Sequence, residues 1–283
     1  MEQQVYLNGA IVSIGQARIS LLDYGFLFGY SLFETMRSYS GKIFLLDRHL
    51  ERLAGSAAAL SLPVKPIEWR RAVTEVLRAN QLQDARVRLV LSAGPGNLVP
   101  DLGSCTGSTL CALAVPYLPP SNEVYERGYS VVISSLRRNS QSLVPGFKTS
   151  NFLESLLAKQ EARRAGAEDA LLLNDRGLVA EASSSNVFIA KAGRLLTPRL
   201  GSGLLPGVTR AAILGLAGKL AIPAAAVDLA LQDLKEADEV FLSNSMIEIM
   251  PVSRIDANVV GTGRAGPISL KLLSAYRAAA QGS

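Results

Sequence analysis

Three parts of the sequence carry residue types that could act together on one ligand. Lys148 stands at the end of a loop, just before a predicted helix, and a lysine amine can bind a carbonyl group covalently. Glu181 follows apolar residues on a predicted strand, so its carboxylate should be partly buried and need a cationic partner, such as a protonated pyridine nitrogen. Gly207–Thr209 begin an apolar helix, where free backbone N–H groups and the helix dipole favour a phosphate.

Each of these features also has a simpler interpretation. Most lysines are solvated surface charges, and a Pro-Gly pair before a helix is an ordinary helix start. Arg52, on the polar side of a predicted helix, could add a bidentate phosphate contact, although most helix arginines are solvated. The single histidine, His49, excludes mechanisms that need several histidines. Cys105 and Cys111 lack the spacing of a zinc site or a disulfide framework, so no metal site is expected.

The composition predicts a globular enzyme that binds small anions. The chain has 283 residues, of which 48% are hydrophobic and 19% charged, enough apolar mass for a large core divided between two domains. The net charge of +5 suggests anionic ligands, but the basic residues occur as scattered pairs such as Arg137-Arg138, which favours small anions over nucleic acid. No apolar stretch suits a membrane span, and the N-terminus alternates like a strand, so we expect a cytoplasmic protein.

The pattern of elements predicts an α+β fold of two domains. Residues 1–115 should form a small domain, residues 116–122 a proline-rich linker, and residues 123–283 a larger domain that carries Lys148. A helix from about Asn151 to Arg164 should follow the lysine, with Asn151 and Glu154 in capping-box positions. The other predicted strands are Val5–Ile14, Ser31–Arg37, Ala85–Ser92, Ser108–Val115, Tyr129–Ser134, Ala170–Leu173, Leu178–Glu181, Asn186–Ala190, Arg194–Leu196 and Glu239–Leu242, and the other helices are Asp47–Leu60, Ile67–Ala79, Val208–Leu220 and Ile268–Ala280.

Seven segments, in one order along the chain, resemble the class IV aminotransferases, the fold type IV group of enzymes that depend on pyridoxal 5′-phosphate (PLP). They are Tyr6–Gly9, Phe33–Arg37, His49–Leu53, Lys148 with its helix, Glu181–Phe188, Leu205–Arg210 and Asn244–Val252. The resemblance covers essentially the whole chain. It implies a two-domain fold like that of D-amino acid aminotransferase, with PLP between the domains, and a homodimer whose neighbouring subunit contributes to the pocket.

The resemblance also implies a role for each matching residue. Lys148 should form the Schiff base with PLP, Glu181 should pair with the pyridine nitrogen, and Leu205 should pack on the ring. The residues expected to hold the phosphate are Arg52, Val208, Thr209 and Ser245. A carboxylate beside the pyridine nitrogen would keep it protonated, so that the ring can accept electrons from the substrate, while the lysine amine moves protons.

One residue of the family pattern is missing. The family has a tyrosine five residues after the lysine, where this chain has Leu153. The partner of the PLP ring hydroxyl therefore has to come from elsewhere, and Asn151 is the candidate that the sequence offers.

The resemblance leaves the reaction open between lysis and transamination of an anionic, amino-acid-like substrate bound to PLP as an external aldimine. Phe33–Arg37, with Thr35 where branched-chain enzymes tend to have glycine, slightly favours 4-amino-4-deoxychorismate lyase, which forms pyruvate and 4-aminobenzoate. The alternative is an aminotransferase of the branched-chain, D-amino acid or amine type, since the loop after Ser92 lacks the arginine-bearing patterns of both the lyases and the D-amino acid enzymes.

Four residues are candidates for contacts with the substrate. Phe33 and Thr35 lie in the segment that resembles the lyases. Arg37 and Arg88 lie on predicted strands and could bind substrate carboxylates through their guanidinium groups. A structural ion pair is nearly as good an explanation for Arg88.

Overall fold

The computed structural model describes residues 2–62, 64 and 69–282, which form two compact units. One unit consists of the chain up to Leu118 together with Phe147–Asn151, and the other of Pro119–Gly146 and Phe152–Gly282. Each unit combines one β-sheet with helices. The predicted α+β class is therefore confirmed.

The first unit is built on a six-stranded antiparallel sheet in the order β2-β1-β6-β5-β3-β4. Its strands are β1 (Gln4–Leu7), β2 (Ala10–Ser13), β3 (Ser31–Tyr39), β4 (Lys42–Ile43), β5 (Ala85–Ser92) and β6 (Thr109–Pro116), and its α-helices are α1 (Tyr24–Leu27), α2 (Leu46–Ala59) and α3 (Trp69–Ala79). The sequence predicted a single strand over Val5–Ile14. Asn8 and Gly9 instead both take positive φ values, of 49° and 103°, and turn the chain into the hairpin of β1 and β2.

Strand periodicity divides the side chains of β3 between the two faces of this sheet. Leu32 and Met36 point into the hydrophobic core that α2 and α3 cover. Glu34 lies on the same face as these residues, and Phe33, Thr35 and Arg37 lie on the other. The predicted helix start at Ile67 falls outside the described residues, and from Trp69 onwards the helix ends at Ala79 as expected.

The second unit is built on a nine-stranded mixed sheet, in the order β12-β11-β10-β13-β14-β7-β8-β9 with β15 paired to β14. Its strands are β7 (Tyr129–Arg138), β8 (Asp169–Asn174), β9 (Val179–Ala182), β10 (Asn186–Lys191), β11 (Arg194–Pro198), β12 (Ala224–Val227), β13 (Glu239–Asn244), β14 (Glu248–Ile255) and β15 (Asn258–Val259), and its α-helices are α4 (Asn122–Arg127), α5 (Leu153–Arg164), α6 (Val208–Lys219), α7 (Leu231–Lys235) and α8 (Pro267–Gln281). Strands β8 and β9 are buried along their whole length. Their side chains are therefore held by packing on both faces.

The segment Phe147–Asn151 belongs to the first unit, although the sequence analysis assigned Lys148 to the C-terminal domain. The reason is an open sheet edge. Strand β4 pairs only with the end of β3, so the start of β3 has unpaired backbone groups on that side. Thr149 forms an antiparallel bridge with Leu32, and the N–H of Phe33 donates to the carbonyl of Lys148 at 2.8 Å.

The helix after the lysine begins two residues later than predicted, at Leu153. Its N-cap is Phe152, which provides no side-chain hydrogen bond. The amide of Asn151 points back to the carbonyl oxygen of Gly29 at 3.4 Å, and Glu154 forms an ion pair with Arg138, so the expected capping box is absent. Among the described residues, no helix has both the length and the apolar composition needed to cross a bilayer.

Candidate active site

Lys148 is fixed by its backbone while its side chain is half-buried. Besides the bond from Phe33, Ser150 N–H donates to the carbonyl of Ser31 at 3.0 Å. The lysine therefore extends from a chain segment that pairs with the sheet edge through its own carbonyl and through the N–H of Ser150. Its Nζ atom lies 4.5 Å from the centroid of the Phe33 ring, within the range of a cation–π contact.

Phe33, Thr35 and Arg88 come together beside this lysine. Arg88 is the cross-strand partner of Thr35 on β5, and its guanidinium carbon lies 3.8 Å from the centroid of the Phe33 ring. Within the described part of the chain, Arg88 forms no ion pair, which removes the structural alternative that the sequence left open. Burial, helped by the charge of Arg86, lowers the pKa of Arg88. A partly buried guanidinium without a carboxylate is well suited to an anionic ligand.

Arg37 occupies a different environment on the same face of the sheet. Its guanidinium carbon lies 4.3 Å from the ring centroid of Tyr39 and 5.1 Å from that of Tyr117, and the residue is 8% exposed. The structure therefore places Arg37 between two aromatic rings, whereas Arg88 contacts Phe33. Of the two arginines that the sequence proposed for substrate carboxylates, only Arg88 lies within contact distance of the aromatic ring that Lys148 also contacts.

Arg52 is anchored to a buried carboxylate on the core face of the first sheet. Its Nε and Nη2 atoms donate to the two oxygens of Glu34 at 2.8 and 2.6 Å. His49 Nδ1 lies 2.7 Å from Glu34 Oε2. Burial raises the pKa of Glu34, but the hydrogen bonds from His49 and Arg52 and the charge of Arg52 outweigh it and hold the pKa at about 2. Glu34 is therefore ionised at neutral pH.

In the second unit, Glu181 is buried on β9, and a protein cation lies beside it. Arg138 Nη2 lies 3.2 Å from Glu181 Oε1, and the same guanidinium forms an ion pair with Glu154 on α5. A buried carboxylate that needs a cationic partner was predicted here, and Arg138 is one such partner that the sequence patterns do not reveal. The Arg137-Arg138 pair was visible in the sequence, but only the strand register shows that Arg138 faces Glu181.

Leu205 is held at its backbone by two residues of the second unit. Its N–H donates to Glu181 Oε2 at 3.1 Å, and its carbonyl accepts from the side-chain amide of Asn186 at 2.9 Å. The side chain of Leu205 stays half-buried. A Cβ atom on Gly207 would lie 2.0 Å from Asn186 Oδ1, so the glycine lets the amide reach the backbone. Asn186 is a positioning residue that the sequence analysis did not single out.

The start of α6 has the features expected of an anion site. Val208 and Thr209 are buried in its first turn, at 9% and 3% exposure. The N-cap is Gly207, which has no side chain to bond the first-turn N–H groups, and the first turn has no acidic residue. A buried helix start needs other partners for these N–H groups, and a phosphate meets that need.

Ser245 lies in the tight turn between β13 and β14. Asn244 holds this turn, because its Oδ1 atom accepts from the N–H groups of Met246 and Ile247 at 2.8 and 2.9 Å, and its amide donates to Ser185 Oγ at 2.9 Å. Ser245 is half-buried. The structure therefore places Val208, Thr209 and Ser245 in the second unit, whereas Arg52 lies in the first.

Residues 31–255 match the family model described as "Amino-transferase class IV". This stretch includes Lys148, Glu181 and every residue for which the sequence analysis proposed a phosphate or substrate contact.

The chain belongs to the class IV aminotransferase family.

Members of the class IV aminotransferases depend on PLP, so the predicted family, cofactor and enzyme class are confirmed. A relative from Methanocaldococcus jannaschii, named "Putative branched-chain-amino-acid aminotransferase", is 38% identical over 277 residues, which cover 97% of this chain and 95% of the relative. The branched-chain aminotransferase of the archaeon Thermoproteus uzoniensis, solved with norvaline, superposes with a TM-score of 0.91 at 32% identity, over 100% of this chain and 96% of that one. The predicted fold is therefore confirmed as well.

A third protein bears on the choice of reaction. Its structure is described as a "Putative 4-amino-4-deoxychorismate lyase" from Legionella pneumophila and superposes with a TM-score of 0.85 at 27% identity, over 93% of this chain and 96% of that one. The branched-chain enzymes are thus more similar in both sequence and structure. These comparisons favour the aminotransferase alternative over the lyase that the sequence analysis placed first.

The residues present fit PLP when each unit is considered by itself. The first unit offers the half-buried amine of Lys148, and the second offers the buried, uncapped start of α6. The Nε atom of Arg138 is buried and has no hydrogen-bond partner among the described residues, so the neighbourhood of Glu181 retains a donor for a further polar group. No group of His, Cys, Asp and Glu residues in the described ranges could hold a metal ion.

Proposed function

We propose that this protein is an amino acid aminotransferase that moves the amino group of a branched-chain amino acid to a 2-oxo acid, with PLP as its cofactor. The observation that carries the proposal is the arrangement around Phe33, where the amine of Lys148 and the guanidinium of Arg88 contact one aromatic ring. Such a site offers a reactive amine and an anchor for a substrate carboxylate. The similarity to branched-chain aminotransferases supports the choice of substrate.

In this proposal the second unit holds the cofactor. The first-turn N–H groups of Val208 and Thr209, together with Ser245, bind the phosphate, and the family resemblance gives Arg52 the same role. Glu181 pairs with the pyridine nitrogen, and Leu205 packs on the ring with its backbone fixed. When bound, PLP supplies an electron-accepting ring that stabilises negative charge at the substrate Cα.

The first unit acts on the substrate. Arg88 binds the α-carboxylate, which sets the orientation of the Cα–H bond. The amine of Lys148 accepts the proton from the substrate Cα as a general base, and the resulting ammonium group then serves as the general acid. Phe33 and Thr35 border the side-chain space, and Arg37 remains a second candidate for a carboxylate. We also propose that the protein is a homodimer in the cytoplasm, as expected from the family.

The cofactor site is tested by titration with PLP. The wild-type protein should turn yellow with a visible absorption band, and Lys148→Ala should lose that band. Lys191→Ala is the matched control, because Lys191 is a surface lysine paired with Glu236 and should leave the band unchanged. A wild-type protein that stays colourless with PLP would contradict the proposal.

The reaction is tested with three substrates offered separately. L-Leucine with 2-oxoglutarate should give glutamate and the corresponding 2-oxo acid, faster than D-alanine gives pyruvate. 4-Amino-4-deoxychorismate should release no 4-aminobenzoate. Release of 4-aminobenzoate without amino transfer would return the assignment to the lyase, for which Thr35 is the specific observation in the sequence.

A further inference from the structure

Glu34 binds both Arg52 and His49, which lie on the same helix. The two residues are three positions apart on α2, so they lie on one side of it and reach the same acid on β3. Glu34 and His49 are buried, with side-chain exposures of 1% and 2%, whereas Arg52 is 13% exposed. Both oxygens of the Glu34 carboxylate are therefore bonded to side chains from a single turn of α2.

The protonation states in this group follow from its geometry and burial. Ionised Glu34 can only accept hydrogen bonds, so His49 Nδ1 must carry a proton and donate it. Burial lowers the pKa of His49, against the bonds to Glu34, and the charges of Arg52 and Lys148 lower it further. His49 is therefore a neutral donor, and Arg52 supplies a positive charge beside Glu34.

Glu34 engages one edge of the Arg52 guanidinium. The bonds use the Nε atom and one N–H of Nη2, and a guanidinium has five N–H donors in a fixed fork. An arginine with one edge bonded has lost most of its side-chain freedom, and its remaining donors point in a defined direction. A ligand bound by such an arginine does not have to pay again for ordering the side chain.

We propose that Glu34 and His49 are positioning residues that hold Arg52 in the orientation in which it binds the phosphate of PLP. The inference rests on the proposed function, in which Arg52 is a phosphate ligand. Glu34 fixes the guanidinium through two bonds, and His49 fixes the carboxylate through a third. Neither residue needs to touch the cofactor for its loss to weaken cofactor binding.

The first test is the dissociation constant for PLP, measured by titration of the cofactor-free protein. Glu34→Gln should weaken PLP binding about tenfold, because the long side chain of Arg52 would then have to become ordered when PLP binds. His49→Leu, which removes the donor, should weaken it less. His49→Asn should restore most of the affinity, since the asparagine amide can donate from nearly the position of Nδ1. Glu51→Gln is the matched control, because Glu51 pairs with Arg48 on the exposed side of α2 and should not matter.

The second test separates positioning from general destabilisation. In the Arg52→Ala background, Glu34→Gln should have almost no further effect on PLP affinity, because the residue through which it acts is gone. The ³¹P NMR signal of bound PLP should shift alike in Arg52→Ala and Glu34→Gln. Thermal unfolding of each cofactor-free variant checks that it is folded. If Glu34→Gln does not fold, His49→Leu and His49→Asn still test the inference.

Three results would overturn the inference while leaving PLP binding intact. They are an Arg52→Ala variant that binds PLP like the wild type, a Glu34→Gln variant with unchanged affinity, and fully additive effects in the double variant. A wild-type protein that fails to bind PLP at all would instead refute the proposed function, and the inference with it.

Discussion

Each unit contains a cluster of acid and arginine side chains around a buried carboxylate, and the two clusters differ in the number of acids per arginine. In the first unit, Glu34 is the single acid, matched by Arg52 and by the neutral donor His49. In the second unit, Arg138 contacts two acids, Glu181 and Glu154. The first cluster thus joins one acid to one arginine, and the second joins two acids to one arginine.

This difference matches the partner proposed for each cluster. A phosphate needs a rigid arginine, and the first cluster provides that rigidity. A protonated pyridine nitrogen needs a carboxylate beside it, and the Arg138 that contacts Glu181 also contacts a second acid. A glutamate and an arginine can therefore serve different ends. In the first cluster Glu34 orients Arg52, and in the second Arg138 holds Glu181 in place.

The largest effect is expected when the shared base of the second cluster is removed. Arg138→Leu removes the guanidinium that contacts both Glu181 and Glu154, and breaking a buried pair in this way costs about 3 kcal/mol or more in the free energy of unfolding. Urea unfolding measures this loss. A loss below about 1 kcal/mol would show that Arg138 is not needed to balance the charge of Glu181.

The next largest effect is expected when the charge of Glu181 is removed, and it should lower activity more than stability. Glu181→Gln keeps the size of the side chain but removes the anion, and loss of one preorganised electrostatic group at a reaction centre costs about 100-fold in kcat. Steady-state amino transfer at saturating PLP measures this effect. A kcat within a few-fold of the wild type would show that Glu181 acts as a structural partner of Arg138 alone.

The sequence predicted the clusters unevenly, and the reason lies in how far apart their members are. Lys148, Glu181 and the helix start at Gly207 were found from local patterns, because each is marked by its immediate neighbours. Arg138 was missed, since its contact with Glu181 depends on how β7 and β8 pair and on the position of α5. Asn186 was missed for a similar reason, because its bond to Leu205 crosses 19 residues.

The prediction that Lys148 belongs with the C-terminal part of the chain fails on the same ground. Chain order places the lysine after the linker, but the open edge of β3 takes up Phe147–Asn151. Edge pairing of this kind depends on β4 being only two residues long, Lys42–Ile43, and the sequence does not indicate where that strand ends. The boundaries of α2, β5 and α6, which follow from periodicity within one segment, were predicted to within a residue or two.

The first cluster should show itself in the acid stability of the protein. Because the pKa of Glu34 is held at about 2, below its usual 4.5, its stabilising effect is present above about pH 4.5 and is lost as the pH falls towards 2. Glu34→Gln should be less stable than the wild type at pH 6, and the difference should narrow on acidification through that range. Urea unfolding between pH 2 and 6 measures both. A difference that stays constant with pH would mean that Glu34 contributes through packing and not through its charge.

The smallest effect should come from the second acid of the second cluster. Glu154 is 35% exposed, compared with 8% for Glu181, so solvent screens its charge. Glu154→Gln should cost less than about 1 kcal/mol in the free energy of unfolding, as for other exposed ion pairs. Its kcat should fall only about twofold, because Glu181 keeps its own charge but now faces Arg138 alone. A loss as large as that of Glu181→Gln would mean that the two acids act as one unit, and that the negative charge of the cluster, not its position on β9, is what the cofactor ring requires.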